Sequence, residues 1–447
     1  MTKITTLLLA LAATFATASA ASHCVPETQY KNWEVWAMDQ SPSVDPTNSS
    51  QQLEYGGGIY VLSSEQALGK DKKTKPFFID LANETTTLCQ KSTGSTPVVP
   101  HLIWFNRDQT HASISFLGTG HVVIFEAKTR KPVSCLLMPI NPATNQSGVH
   151  AVIPTYDEKY YLVANSFGKA AHKISTDFKN NKFELVDTLD VVNCKTISGL
   201  PCEGPARPNN IVPCVFELNQ TETNNLAFVS LVGGGGFVID FRKTPMEIVS
   251  EYDQTHYYGA TCWALPYSGN SFINMAFRPY IPSTGFSWYK FNATGYLNED
   301  PSVNMPEITK VMDFTSNASD IHAITQINDR LVWVADRAIP SIKVVDVLQW
   351  KIVNEIFLND TSVSPPVRRT ADWTEITPDC KHIVGSLRGP ITVKGDPMFT
   401  PGGLPGVMVL DIERNGLTGK VNHVYPLHKE IAGLDYMDVH GLILRKF

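Results

Sequence analysis

Four short apolar stretches separated by polar turn residues fill Gly148–Asp190. His150 opens the first, His150-Ala151-Val152-Ile153. The acidic turn Asp157-Glu158 leads into Tyr160–Ala164, which ends on Asn165, and Lys173-Ile174-Ser175 and Phe183–Leu189 follow. Apolar runs this short, bounded by turn residues, predict strands. Four in succession, recurring at about 40–50 residues, are the pattern of one blade of a β-propeller.

The unit recurs. His101 leads to Asp108, His150 to Asp157, His322 to Asp329 and Asp372 to Asp379, and a second apolar run follows each aspartate and reaches Ser115, Asn165, Asp336 or Ser386. Cys214 opens CVFEL and Cys262 opens CWALP in two units that keep the runs but lose the aspartate. The last unit is split: His440 opens HGLILRKF at the C-terminus, whereas WEVWAMD and GGIYVLSS lie near the N-terminus. The expected fold is therefore all-β, a seven-bladed β-propeller closed by pairing of N- and C-terminal strands in one blade. Such closure removes the exposed sheet edges that invite aggregation. No Pro/Ser-rich linker or charge run divides the chain, so residues 21–447 are expected to form a single domain. Helical periodicity is nearly absent. The long segments 41–58, 82–99, 191–211 and 388–404 all fall between second and third strands or between blades. That gathers them on the face where first strands begin, and elaborated loops on a rigid scaffold are where binding concentrates.

Residues 1–20 carry Lys3, an apolar core Leu7–Phe15 and Ala18-Ser19-Ala20, the layout of a secretory signal peptide. No later run is long and apolar enough for a membrane span. Asn48, Asn83, Asn145, Asn219, Asn292, Asn317 and Asn359 stand in N-x-[ST] sequons. Together with the leader they predict a secreted, extracellular glycoprotein. A net charge of −6 without a basic stripe excludes nucleic acid as a natural partner. Eight cysteines in an exported chain predict disulfides. Cys194 with Cys202 and Cys24 with Cys89 are the candidate pairs, and Cys135 and Cys380 have no evident partner. The glycines Gly233–Gly236 precede a strand-like run, FVIDF, where a phosphate loop must open a helix.

First strands line a propeller's channel, so the residues that open them should meet at its mouth. Those residues are His101, His150, His322, His440, Cys214, Cys262 and Asp372, each a candidate metal ligand. Imidazole and thiolate suit copper, iron or zinc, and a carboxylate can complete such a sphere. The alternative is structural: histidines bonded to neighbouring connectors, and Cys214 disulfide-bonded to Cys262. His111, His121, His172 and His382 fall on second or third strands, away from the axis. Arg368, Arg369 and Arg388 flank the same mouth and could receive an anion. No nucleophile elbow, H-E-x-x-H or dinucleotide fingerprint occurs. The function expected is binding of a small molecule or extracellular ligand at the loop-rich face, through a transition metal with oxidative chemistry. The alternatives are a non-catalytic extracellular platform for protein or glycan and a metal-free lactonase-like enzyme.

His150-Ala151-Val152 with Tyr161–Asn165, His322-Ala323-Ile324 with Val332–Asp336, and Asp438-Val439-His440-Gly441 resemble the YVTN/YncE-like seven-bladed propellers. The resemblance spans nearly all of residues 21–447 and implies architecture more than activity. More distantly the chain is similar to the propellers of methylamine dehydrogenase heavy chain and nitrous oxide reductase. The latter likeness implies a copper role for His101, His150, His322 and His440; the cysteines and Asp372 depart from an all-histidine pattern.

Overall fold

The computed structural model describes residues 29–30, 32–45, 48–52, 56–204, 213–218, 226–231, 234–256, 264–267, 271–277, 286–292, 295–296, 307–314, 319–391 and 402–447. The leader region, Cys24 and Cys262 lie outside them, as do the side chain of Cys214 and the sequons at Asn219 and Asn317. The architecture is all-β. Seven four-stranded antiparallel sheets appear among the described residues, with two short two-stranded hairpins. Six sheets are formed by strands consecutive in sequence. The seventh is the split unit: Val439–Lys446 pairs with Trp33–Asp39, then come Gly58–Ser63 and Phe77–Asp80.

The first strands of neighbouring sheets lie side by side. Their order is Pro213–Leu218, Val149–Pro154, Pro100–Phe105, Val439–Lys446, Ala371–Ile376, Ile321–Gln326 and Ala264–Tyr267. Second and third strands are buried nearly throughout (Leu331–Asp336 and Ser341–Asp346 fully), because both sheet faces are covered by the next sheet. Outer strands alternate instead: Lys182–Asp190 buries Phe183 and exposes its even-numbered residues. Tryptophans join sheets, as where Trp36 meets Phe105 edge to face at 5.1 Å.

One helix stands in the segment 82–99, expected to be a connector. Leu81–Thr93 is a 13-residue α-helix. Asp80 caps it by accepting from the amides of Ala82 and Asn83, and Gly94, left-handed at φ 77°, ends it. Leu81, Thr85 and Cys89 bury one face. The run Thr85-Thr86-Thr87 conceals this amphipathicity, yet Thr85 and Thr86 donate back to the carbonyls of Leu81 and Ala82. The helix places Cys89 against Cys135, with Cα atoms 5.3 Å apart, so the expected Cys24–Cys89 pair is replaced by Cys89–Cys135. Cys194–Cys202 forms as expected, and Cys380 is also disulfide-bonded. No described helix is long and apolar enough to cross a membrane.

Candidate functional site at the mouth of the channel

His101, His150, His322, Asp372 and His440 each occupy the second position of a first strand. Four of those strands carry a register shift there: Pro100/Ile103, Val149/Ala151, Ile321/Ile324 and Ala371/Thr374. The bulge frees the opening residue from the ladder and re-aims its side chain. Serines on second strands fill two of these bulges. Ser115 Oγ accepts from Leu102 N and donates to the carbonyl of His150, and Ser386 Oγ accepts from Trp373 N and donates to the carbonyl of His440. Each serine thus ties one sheet to the opening residue of the next. Gly441 permits the closest approach, since a Cβ there would lie 2.9 Å from the His101 carbonyl.

The structure brings the four histidines together. The His101 ring lies 4.4 Å from that of His440, stacked at 29°, and 4.5 Å from that of His150; His322 is 5.6 Å from His440. Asp372 is fully buried between them: Oδ1 is 2.8 Å from His322 Nδ1, and Oδ2 accepts from His440 Nδ1. Gln40, which follows the strand Trp33–Asp39, sets its Nε2 2.8 Å from His101 Nδ1. An ionised carboxylate only accepts, so His322 and His440 carry their protons on Nδ1 and keep lone pairs on Nε2. Arg388 Nη1 lies 3.1 Å from His440 Nδ1, but both are donors converging on Asp372.

Two arginines complete the cluster. Arg337 forks onto Asp320 (3.0 and 3.1 Å) and reaches Asp372 Oδ1 at 3.1 Å. Arg388 forks onto Asp438 (2.7 and 2.8 Å) and reaches Asp372 Oδ2 at 2.6 Å. The result is an alternating row, Asp320–Arg337–Asp372–Arg388–Asp438, running across three sheets. Burial pushes the Asp372 carboxyl up, but His440, Arg388, His322 and Arg337 outweigh it and hold the group well below the usual carboxylate range. Burial raises Asp438 against the opposing Arg388 fork. Burial, with the neighbouring histidines and Arg388, holds His101 well below its ordinary value, and burial lowers His440 against the pull of Asp372. Three carboxylates and two guanidiniums thus alternate beside the imidazoles.

Arg388 departs from the expected anion-receiving role: it is fully buried and its donors are taken up by Asp372 and Asp438. Arg368 reaches the carbonyls of Arg337 and Ala338, and Arg369 pairs with Asp360. His111, His121, His172 and His382 lie on second or third strands as expected. Sequence reasoning missed Arg337, Asp320, Asp438 and Gln40. One signal was present: an aspartate stands two residues before both His322 and His440. Cys214 lies on the strand Pro213–Leu218 at the matching position, and Cys262 lies outside the described residues. Among the described residues no three His, Cys, Asp or Glu side chains already stand as a ready ligand set. Farther along the first strands Trp104 and Trp373, whose strands flank Val439–Lys446, meet edge to face at 5.2 Å.

No protein-family model and no curated protein matches the chain. Solved structures do. A candidate 6-phosphogluconolactonase from Bacteroides fragilis aligns over 94% of this chain and 99% of its own, at 10% identity and a TM-score of 0.50. The hydrazine synthase of Kuenenia stuttgartiensis aligns over 70% and 77% at 13% identity and TM-score 0.49. The dihydro-heme d1 dehydrogenase NirN aligns over 92% and 74% at 9% identity and TM-score 0.44. With the succession of four-stranded antiparallel sheets, the first of these likenesses points to a fold of β-propeller type. At such identities they speak for the fold alone.

Proposed function

We propose that the chain is an exported, glycosylated seven-bladed propeller of the YVTN/YncE-like kind, with its ring closed through the split sheet. Its axial cluster binds a small ligand through a transition metal ion, copper, iron or zinc, on the Nε2 atoms of His101, His150, His322 and His440. The observation that carries this reading is the anchoring of ring nitrogens: Asp372 accepts from Nδ1 of His322 and His440, while Gln40 Nε2 donates to Nδ1 of His101 and leaves that neutral ring's proton on Nε2. Histidines that donate Nδ1–H to a carboxylate present an oriented, basic Nε2. The donor set fits such an ion chemically with two adjustments at His101, which must leave its stack on His440 and give up its Nε2 proton. Asp372 fits as the group that orients, since both its oxygens are engaged. A bound ion would supply Lewis acidity or electron transfer; Asp372 orients the imidazoles of His322 and His440 and holds their protons on Nδ1.

Elemental analysis of protein secreted and purified without chelator tests this reading. It predicts close to one equivalent of copper, iron or zinc per chain, lost in His322→Ala and His440→Ala. Protein that contains none, and takes up none on titration, contradicts it. A second reading, a non-catalytic extracellular platform, is favoured by the Trp104–Trp373 contact that packs the first strands beside the cluster. It predicts ligand capture by the loop-rich face without metal.

A further inference from the structure

Phe357 ends the strand Lys351–Phe357 with 68% of its surface exposed, beyond what a lone surface aromatic needs. The chain continues Leu358-Asn359-Asp360-Thr361. Leu358 is fully buried, so alternation turns Phe357 and Asn359 to the same outward side. Asn359 heads an N-x-T sequon. Its Oδ1 accepts from Arg369 N at 3.4 Å, which turns Nδ2, the atom that carries an N-linked sugar, away from the backbone. Beside it a groove of about 470 Å³ runs to the strand Thr418–Pro426 of the neighbouring sheet. Phe357, Asn359, Thr361, Arg369, Thr418 and Lys420 are among its walls. The other sequons differ. Leu81, two residues before Asn83, is buried, and Asn83 Nδ2 donates to Asp80 Oδ2 at 3.1 Å. Asn145 has Ala143 at that position, and of the seven sequons only Asn359 has an aromatic residue there.

We propose that Asn359 carries an N-linked glycan whose first N-acetylglucosamine lies on the Phe357 ring inside this groove and fastens two neighbouring outer strands. A pyranose offers one face made of C–H groups, and laying that face on an exposed ring removes both apolar surfaces from water. The polar walls receive the sugar's hydroxyl and amide groups, the mix of apolar floor and few polar groups that saccharide-sized sites use. The inference needs export of the chain but not the metal reading.

The test uses the full chain expressed through a eukaryotic secretory pathway, with glycopeptide mass spectrometry and amide hydrogen exchange over residues 351–369. Asn359 should be occupied, and trimming its glycan to one sugar should leave exchange unchanged. Thr361→Ala, which removes the glycan without touching the asparagine or the ring, should speed exchange about fivefold. In a Phe357→Ser background the same substitution should change exchange little. An empty Asn359 beside an occupied Asn83 or Asn145 overturns the proposal, as does a Thr361→Ala effect that is equal with and without Phe357.

Discussion

The two arcs of the axial cluster are built differently. On one side His322, Asp372 and His440 sit in a row of ion pairs, with Arg337 and Arg388 spanning three sheets. On the other, His101 has an amide partner in Gln40 and is held by stacking on His440 and edge contact with His150. The first arc fixes its imidazoles by charge, so their protonation pattern is set by the carboxylate. The second fixes its imidazoles by packing and one amide hydrogen bond.

Breaking the charged arc should cost most. Asp372→Ala leaves two buried guanidiniums without their shared carboxylate, and removal of one member of a buried ion network costs about 3–5 kcal/mol; urea unfolding against wild type reads it. His101→Ala should cost clearly less. A double-mutant cycle sharpens the contrast: Asp372 and Arg388 should couple by about 1–3 kcal/mol, whereas His101 with Arg337 should stay within about 0.5 kcal/mol.

The arcs should also differ in pH response. His101 and His440 titrate below their ordinary value when folded, so the unfolded chain binds protons that the folded chain refuses. Stability therefore rises with pH through that window and is lost as pH falls below about 6.5. His121 and His172, each lowered to about 4 by burial, act with the same sign between about 4 and 6.5. His101→Gln should flatten the loss measured between pH 7 and pH 5 by up to about 1.4 kcal/mol per pH unit. Asp372, held low, contributes stability above the usual carboxylate range and loses it only in stronger acid. The smallest effect belongs to Gln40→Ala, about 0.5–1.5 kcal/mol for one lost hydrogen bond. It should fall on the packed arc alone, leaving the Asp372–Arg388 coupling intact.

How much of this could be read in advance follows from range. The strand runs, the split unit and the shared opening position of His101, His150, His322, Asp372 and His440 are local patterns of period two, and they survive into the structure. Cys194–Cys202 closes a short loop and was equally visible. The helix Leu81–Thr93 was hidden because its threonines look strand-like until their hydroxyls are seen bonded to the preceding turn. Cys89–Cys135 depended on that helix. Arg337 and Arg388 lie 35 and 16 residues from Asp372, and Gln40 lies 61 from His101. Nothing in their neighbours distinguishes a buried guanidinium from a solvated one; only the packing of neighbouring sheets does.

The central claim, that His322 and His440 point basic Nε2 atoms at the axis because Asp372 holds their Nδ1 protons, is tested most directly by nitrogen-15 NMR of histidine-labelled protein at neutral pH. The account predicts both rings neutral and in the Nδ1–H tautomer, with the Nε2 signals moving on addition of zinc. Rings protonated on Nε2, or fully protonated imidazoliums, would contradict it.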